Sequence, residues 1–201
     1  MPMTVGQAGI DWERLWAPYD ESTYREVLTW VHPQDVVLEI GAGDLRLARR
    51  LARTARHVYA IEIQPDLVER GRRAGPLPNN LTIIVGDARR LPFPAGISLG
   101  VLLMRHCRHF ALYADKLSAV GCRRLVTNAR WGMGVEVVDL TAPALPWEQV
   151  GMGWYACRCG AIGFVPGPPE ALTPALEATV HQVHRCPACW PASRQPLAVN
   201  R

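Results

Sequence analysis

The stretch "VVLEIGAGDLRLARRLA", residues 36–52, constrains the fold more than any other part of the chain. Its first half is a continuous apolar run of the kind found in strands covered on both faces. In its second half Leu47, Ala48, Leu51 and Ala52 form one stripe of a helix, and Arg46, Arg49, Arg50 and Arg53 occupy the opposite face. Between them lie Gly41 and Gly43. A strand that passes through glycines into a helix presents unpaired backbone N–H groups at the positive end of the helix dipole. Such a turn suits a ligand with a negative group or a polar edge.

The same rhythm continues on both sides. In "YDESTYREVLTWVHP", Tyr24, Val27, Leu28 and Val31 fall at helical spacing, with Asp20 or Ser22 as cap and Pro33 at the end. "HVYAIEI", "LTIIVG", "ISLGVLLM" and "RRLVTN" predict four further strands, and "VEVVDL" is a candidate sixth. "PDLVERGRR" predicts a helix with proline in its first position, and "RHFALYADKLSAVG" one that Gly121 terminates. The expected class is α/β, a Rossmann-like, doubly wound and mostly parallel sheet. After Leu140 the texture changes, and "TAPALPWEQV" follows neither period. Two regions are therefore expected, residues 1–145 and a small C-terminal segment, 146–201. No apolar run approaches the roughly 20 residues of a membrane span, and "MPMTVGQAGIDWERLW" lacks the basic start and apolar stretch of a signal peptide. A cytoplasmic location without membrane partners is the expectation.

The dinucleotide fingerprint G-x-G-x-x-G is only partly met, because the last glycine position is Arg46. A bulky side chain there hinders approach of a pyrophosphate, which disfavours NAD or FAD. "LEIGAGDLRLA" instead resembles the first motif of the class I S-adenosylmethionine-dependent methyltransferases, through Glu39, Gly41 and Gly43, with Leu45 replacing the third glycine. The resemblance implies S-adenosylmethionine as cofactor. It also implies that Glu62 holds the ribose, that Asp87 in "IIVGDARRLPF" contacts the adenine amino group, and that the Ala88 amide faces the ring. Asp44 is placed to cap the following helix. "AIEIQPDL" is similar to the ribosomal RNA adenine dimethylases, yet their N-[LI]-P-[YF] motif is missing, since the fourth strand runs into "LLMRHCRHF". Adenine-specific chemistry is thus unsupported.

A methyl acceptor is expected at the carboxyl ends of the fourth and fifth strands, which supply Arg105, His106 and Cys107, then Asn128, Arg130 and Trp131. His106 is the candidate base. Arg105, Arg108 or Arg130 could orient an anionic substrate, and Trp131 could stack on a planar one. Cys107 is either a nucleophile or a small buried thiol. All but one of the 22 basic residues are arginine, at a formal charge of +4. Arginine suits phosphate recognition, and a genome's base composition produces the same excess. The acceptor is open, with RNA a plausible one and Arg89, Arg90, Arg123 and Arg124 as candidate phosphate contacts. A small molecule or a protein side chain stays open. So do a non-catalytic module that binds the cofactor, RNA or a protein, and a NAD-dependent oxidoreductase.

The last fifty residues hold too few apolar side chains for a core of their own. "WYACRCGAIGF" and "HRCPACW" carry Cys157, Cys159, Cys186 and Cys189, which resemble the two knuckles of a zinc ribbon with four thiolates around a structural Zn²⁺. His181 or His184 in place of one cysteine, and a redox pair at Cys186 and Cys189, are the alternatives. Such a segment can bind nucleic acid or cover an edge of the main sheet.

Overall fold

The computed structural model describes residues 16–105, 107–130 and 134–190. Its larger sheet has the order β3-β2-β1-β4-β5-β6. The strands are β1 (Val36–Ile40), β2 (His57–Glu62), β3 (Leu81–Val85), β4 (Leu99–Leu102), β5 (Arg124–Thr127) and β6 (Glu136–Asp139). The first five are parallel, whereas β6 runs antiparallel to β5. The link from Thr127 to Glu136 is too short for a crossover, which takes a dozen residues or more, so the chain can only return beside the strand it left.

Helices α1 (Glu21–Thr29), α2 (Arg46–Leu51) and α3 (Pro65–Arg73) pack one face, and α4 (Phe110–Ala119) the other. Asp20 caps α1, its carboxylate accepting the Thr23 N–H at 2.8 Å. The predicted apolar stripe of α2 is buried throughout, and Leu45 joins it with no exposure at all. At the amino end of the sheet, Asp35 accepts two hydrogen bonds from Arg124 at 2.8 and 2.9 Å and one from Ser98 at 2.6 Å. Arg124 is therefore committed to the fold, at the end of the sheet away from the glycine turn, and its expected role as a phosphate contact is withdrawn.

A second sheet, β8-β7-β9, is built from β7 (Gly153–Cys157), β8 (Ile162–Val165) and β9 (Val180–Val183), with a short helix α5 (Pro174–Ala178) before β9. The β7–β8 hairpin is antiparallel, and β9 joins β7 in parallel. Its contacts with the larger sheet run through Arg130 just past β5, which donates to Gln182 Oε1 at 2.8 Å, and through Phe110 on α4, which lies against Gly160. They lie at the carboxyl end of β5 and the start of α4.

Leu45 has φ 64°, the left-handed conformation that costs a side-chain-bearing residue about 1 kcal/mol. Full burial of its side chain outweighs that cost, since truncating a buried leucine to alanine typically loses about 2–5 kcal/mol. Leu45→Ala keeps the backbone penalty and loses the packing. Leu45→Gly loses the packing but relieves the backbone. Both variants should be destabilised in urea unfolding, with Leu45→Gly the more stable of the two by about 1 kcal/mol; the reverse order would show that the left-handed turn carries no strain.

Candidate functional site

The site lies where the parallel strands end. Gly41 and Gly43 leave β1 with φ of 77° and 55°, and Leu45 completes the left-handed course of the turn. The turn is held from β2: Glu62 Oε2 accepts the Gly43 N–H at 2.7 Å, and Oε1 accepts the Gln64 N–H at 2.8 Å. The backing is tight on the α3 side, because a Cβ at Gly71 would come within 2.4 Å of the Asp44 carbonyl oxygen. The N-cap of α2 is Leu45, with no side-chain capping bond, so Asp44 does not cap the helix as expected; its carboxylate lies 3.4 Å from the Arg46 N–H and chiefly grips the Arg46 guanidinium at 2.6–3.1 Å.

Two cavities meet at this turn. One, of about 130 Å³, is lined by Trp16, Tyr19, Glu39, Gly41, Asp44 and Glu62 among others. The second, of about 190 Å³, is lined by Ile61, Gly86, Asp87, Ala88 and Tyr113 among others. Gly41, Ile63 and Met104 border both. The Met104 methyl lies 3.1 Å from where a Gly41 Cβ would be, so Met104 and Gly41 form the partition between them. Glu39, Gly41 and Glu62 thus line the first cavity, Asp87 and Ala88 the second, and Gly43 shapes the turn from which both open.

The first cavity is lined by the carboxyl groups of Glu39, Asp44 and Glu62 and by Arg46 and Arg105, with Arg46 held by Asp44. Glu39 is 4% exposed, and its Oε2 has no hydrogen-bond partner. Burial, with Glu62 and Asp44 nearby, pushes its carboxyl well above the ordinary carboxylate range. In the second cavity, Asp87 accepts the Arg89 N–H and guanidinium, both at 2.9 Å, which lowers its pKa and keeps it ionised. The Ala88 N–H meets no acceptor among the described residues. Lys116, the only lysine, donates to the carbonyls of Ala88 and Leu91 and so fixes this loop from α4.

Sequence reasoning missed the cover of the first cavity. The Trp16 indole nitrogen lies 2.0 Å from where a Gly43 Cβ would stand, and the guanidiniums of Arg46 and Arg70 sit 5.7 Å from its ring. Tyr19 accepts the Arg105 N–H at 3.1 Å, and the Arg105 guanidinium stacks over its ring at 5.6 Å. The tryptophan-flanked segment before α1 was the available signal, but nothing local says what it covers.

On the acceptor side, His106 and Trp131 lie outside the described residues. Arg105 borders the first cavity, and Cys107 is buried in the core against α4. Arg130 cannot orient a substrate: it is 1% exposed, bonded to Glu136 at 2.5 and 2.6 Å and to Gln182, with Phe110 under its guanidinium. Asn128 is buried, and neither of its side-chain polar atoms has a partner among the described residues.

The four tail cysteines converge. Their Sγ atoms all lie within 4.8 Å of one another, with Cys157–Cys189 and Cys159–Cys186 at 3.8 Å and Cys186–Cys189 at 3.9 Å. These separations are far beyond a disulfide. They equal the edge of a tetrahedron of sulfurs about 2.3 Å from its centre, roughly 3.8 Å, which is the geometry of a four-thiolate zinc site. Neither His181 nor His184 joins the cluster. Burial raises the Cys157 thiol, and raises Cys159 to about 11, so these thiols stay protonated unless a cation compensates them.

Residues 37–129 match a family model described as a methyltransferase domain. The chain is 48% identical over 62 residues to a probable ribosomal RNA small subunit methyltransferase A of Methanosarcina mazei, covering 31% of this chain and 23% of that protein. It is 27% identical over 189 residues to ribosomal RNA small subunit methyltransferase A of Chromobacterium violaceum, covering 84% and 66%. The chain thus spans under a quarter of the length of the first of these curated relatives. A dimethyladenosine transferase from Plasmodium falciparum superposes with a TM-score of 0.47 at 22% identity, over 54% of this chain and 41% of that one. No helix among the described residues is long and apolar enough to cross a membrane.

The raised Glu39 pKa gives a sign to the pH dependence of stability. Between the unfolded carboxyl pKa and the higher folded one, the native state binds more protons than the unfolded state, so stability falls as pH rises through that window. Glu39→Gln removes the titration. Thermal melts should show the variant more stable than the parent chain at pH 7, with the gap closing towards pH 4.

Proposed function

We propose that this chain is a S-adenosylmethionine-dependent methyltransferase whose acceptor is RNA. The observation that carries the proposal is the pair of adjoining cavities over the strand ends, one bordered by Glu62 on β2 and the other by Asp87 after β3, which share Gly41, Ile63 and Met104. The family match over residues 37–129 supports the activity, and the ribosomal RNA methyltransferase names of the relatives support the acceptor. When bound, the cofactor supplies a methyl group on a sulfonium.

The chain's own residues position it. Each Glu62 oxygen already accepts one backbone N–H and keeps a further lone pair for a ribose hydroxyl. Asp87 and the Ala88 amide offer an acceptor and a donor to the adenine edge, and Ile63, 50% exposed, offers an apolar face. Asp44 complements a cationic amino-acid end and Glu39 offers it an unpartnered carboxyl oxygen, while Trp16 and Tyr19 exclude water above it. The acceptor approaches from the carboxyl ends of β4 and β5, where His106 as base and Arg105 and Trp131 as orienting groups complete the assignment. Methyl transfer then needs alignment, a dry groove and removal of a proton from the acceptor.

We assign residues 1–145 to this domain and 146–201 to a segment organised by Zn²⁺ on Cys157, Cys159, Cys186 and Cys189. Four ligands leave no open position, so the metal is structural. It would order a sheet whose own buried cluster is small: Val150, Cys157, Val183 and Cys186.

Calorimetric titration of the protein with S-adenosylmethionine should give one site, and Glu62→Ala should weaken it roughly tenfold or more, as expected for bonds to a charged acceptor. Transfer of labelled methyl to ribosomal RNA tests the acceptor. Absence of heat would overturn the cofactor assignment. Separately, purified protein should contain about one zinc per chain by elemental analysis. A chelator should expose the amides of residues 153–190 to hydrogen exchange while leaving the binding of S-adenosylmethionine intact; a metal-free protein with that region still protected would refute the metal site.

A further inference from the structure

Lys116 on α4 is the only lysine of the chain, and its ammonium group has three partners. It donates to the Ala88 carbonyl and, at 2.7 Å, to the Leu91 carbonyl, and it lies 4.3 Å from the centre of the buried Phe93 ring. Two oxygens and a π face thus account for its three N–H donors. Three residues earlier on the same side of α4, Tyr113 lines the second cavity. The helix therefore meets the loop after β3 twice, with Tyr113 at the cavity and Lys116 behind the backbone.

The loop's own bonds show what the lysine does to it. The N–H groups of Arg90 and Leu91 both donate to the Asp87 carbonyl at 2.9 Å, so residues 87–91 make one helical turn. In such a turn the carbonyls point one way and the N–H groups the other. The carbonyls of Ala88 and Leu91 end on Lys116. At the opposite end the Arg89 N–H meets the Asp87 carboxylate at 2.9 Å, and the Ala88 N–H meets no acceptor among the described residues. Asp87 and Ala88 both line the second cavity, whose walls include Ile40, Ile61, Ile63 and Met104. An apolar slot with one acceptor beside one donor matches the Watson–Crick edge of a 6-aminopurine, where an N–H sits next to a bare ring nitrogen. A 6-oxopurine presents the reverse order, setting carbonyl oxygen against carboxylate and N–H against N–H.

We propose that Lys116 sets the base specificity of the cofactor site: by drawing two carbonyls towards α4 it holds the Ala88 N–H beside the Asp87 carboxylate, in the order that accepts an aminopurine and rejects an oxopurine. The inference rests on the S-adenosylmethionine reading of the site. Lys116 does not itself line the cavity, so it is a positioning residue. Its charge also acts on Asp87, joining Arg89 and Arg90 in favouring the ionised carboxylate that an amino group needs as acceptor. A methionine in its place would leave both carbonyls without a donor beside Phe93. The turn would then rotate to offer them to water and carry the Ala88 N–H out of register.

Calorimetry on the full chain with S-adenosylhomocysteine and with S-inosylhomocysteine tests the assignment. The parent chain should bind the adenosyl compound roughly tenfold or more tightly than the inosyl one, as expected of a base edge read by two paired bonds. Lys116→Met should weaken the adenosyl compound to about the level of the inosyl one and leave the inosyl affinity near that of the parent. Lys116→Arg, which keeps donors and charge, should recover most of the preference. A merely structural lysine would on removal weaken both compounds alike; that outcome, or an unchanged ratio in Lys116→Met, overturns the proposal. Should Lys116→Met fail to fold, as judged by thermal melting, Lys116→Gln with its single amide donor group gives the same comparison. A parent chain that binds both compounds equally overturns the role of Lys116 and leaves the cofactor reading standing, whereas binding of neither compound overturns both.

Discussion

The bond on which the site depends is the one from the Gly43 N–H to Glu62 Oε2, 2.7 Å long and buried. A turn that takes left-handed conformations at Gly41, Gly43 and Leu45 within five residues has little reason of its own to hold that shape. The carboxylate from the neighbouring strand supplies it, joining the end of β1 to the end of β2. Through its other oxygen it fixes Gln64, the residue that leads into α3. One side chain thus sets the turn, the entry of the next helix and the floor of the first cavity. Leu45 supports the same shape from below by entering the core, which is how a leucine occupies a backbone conformation that usually favours glycine.

That arrangement also discriminates between ligands of similar size. A dinucleotide would bring its pyrophosphate to this turn, beside the Glu62 carboxylate and the Asp44–Arg46 ion pair, in which the nearest cation on α2 is already engaged. Repulsion in a partly desolvated site is not screened as it is on the surface. A ligand carrying a sulfonium and an ammonium meets the opposite situation, and it gives the orphaned Glu39 oxygen a partner. The missing glycine at position 46 and the carboxylates lining the cavity therefore argue the same way from independent features.

The parts of the fold that were legible in the sequence are those fixed by local pattern. The β1–α2–β2 unit, the proline at the start of α3 and the start of α1 near Asp20 and Ser22 follow from periodicity and end signals within a dozen residues. The cysteine cluster was legible because its ligands come as two close pairs, whatever the length between them. What stayed hidden depends on contacts between distant segments. Nothing near Met104 reveals that it divides the groove at Gly41, and nothing near Trp16 reveals that it lies across Gly43. Arg130 was misjudged for the same reason: an arginine after a strand looks available until Glu136 and Gln182 are brought to it by the return of β6 and the docking of β9.

Arg130 also shows how the two sheets come to act together. Taking a guanidinium out of water is costly, and an ion pair with Glu136 offsets that only where the remaining donors find acceptors. Here the third contact is supplied by Gln182 of the small sheet, with Phe110 under the guanidinium plane. The charge is therefore satisfied only when β9 is in place, so the docking of the cysteine-bearing segment is tied to the order of the chain just beyond β5.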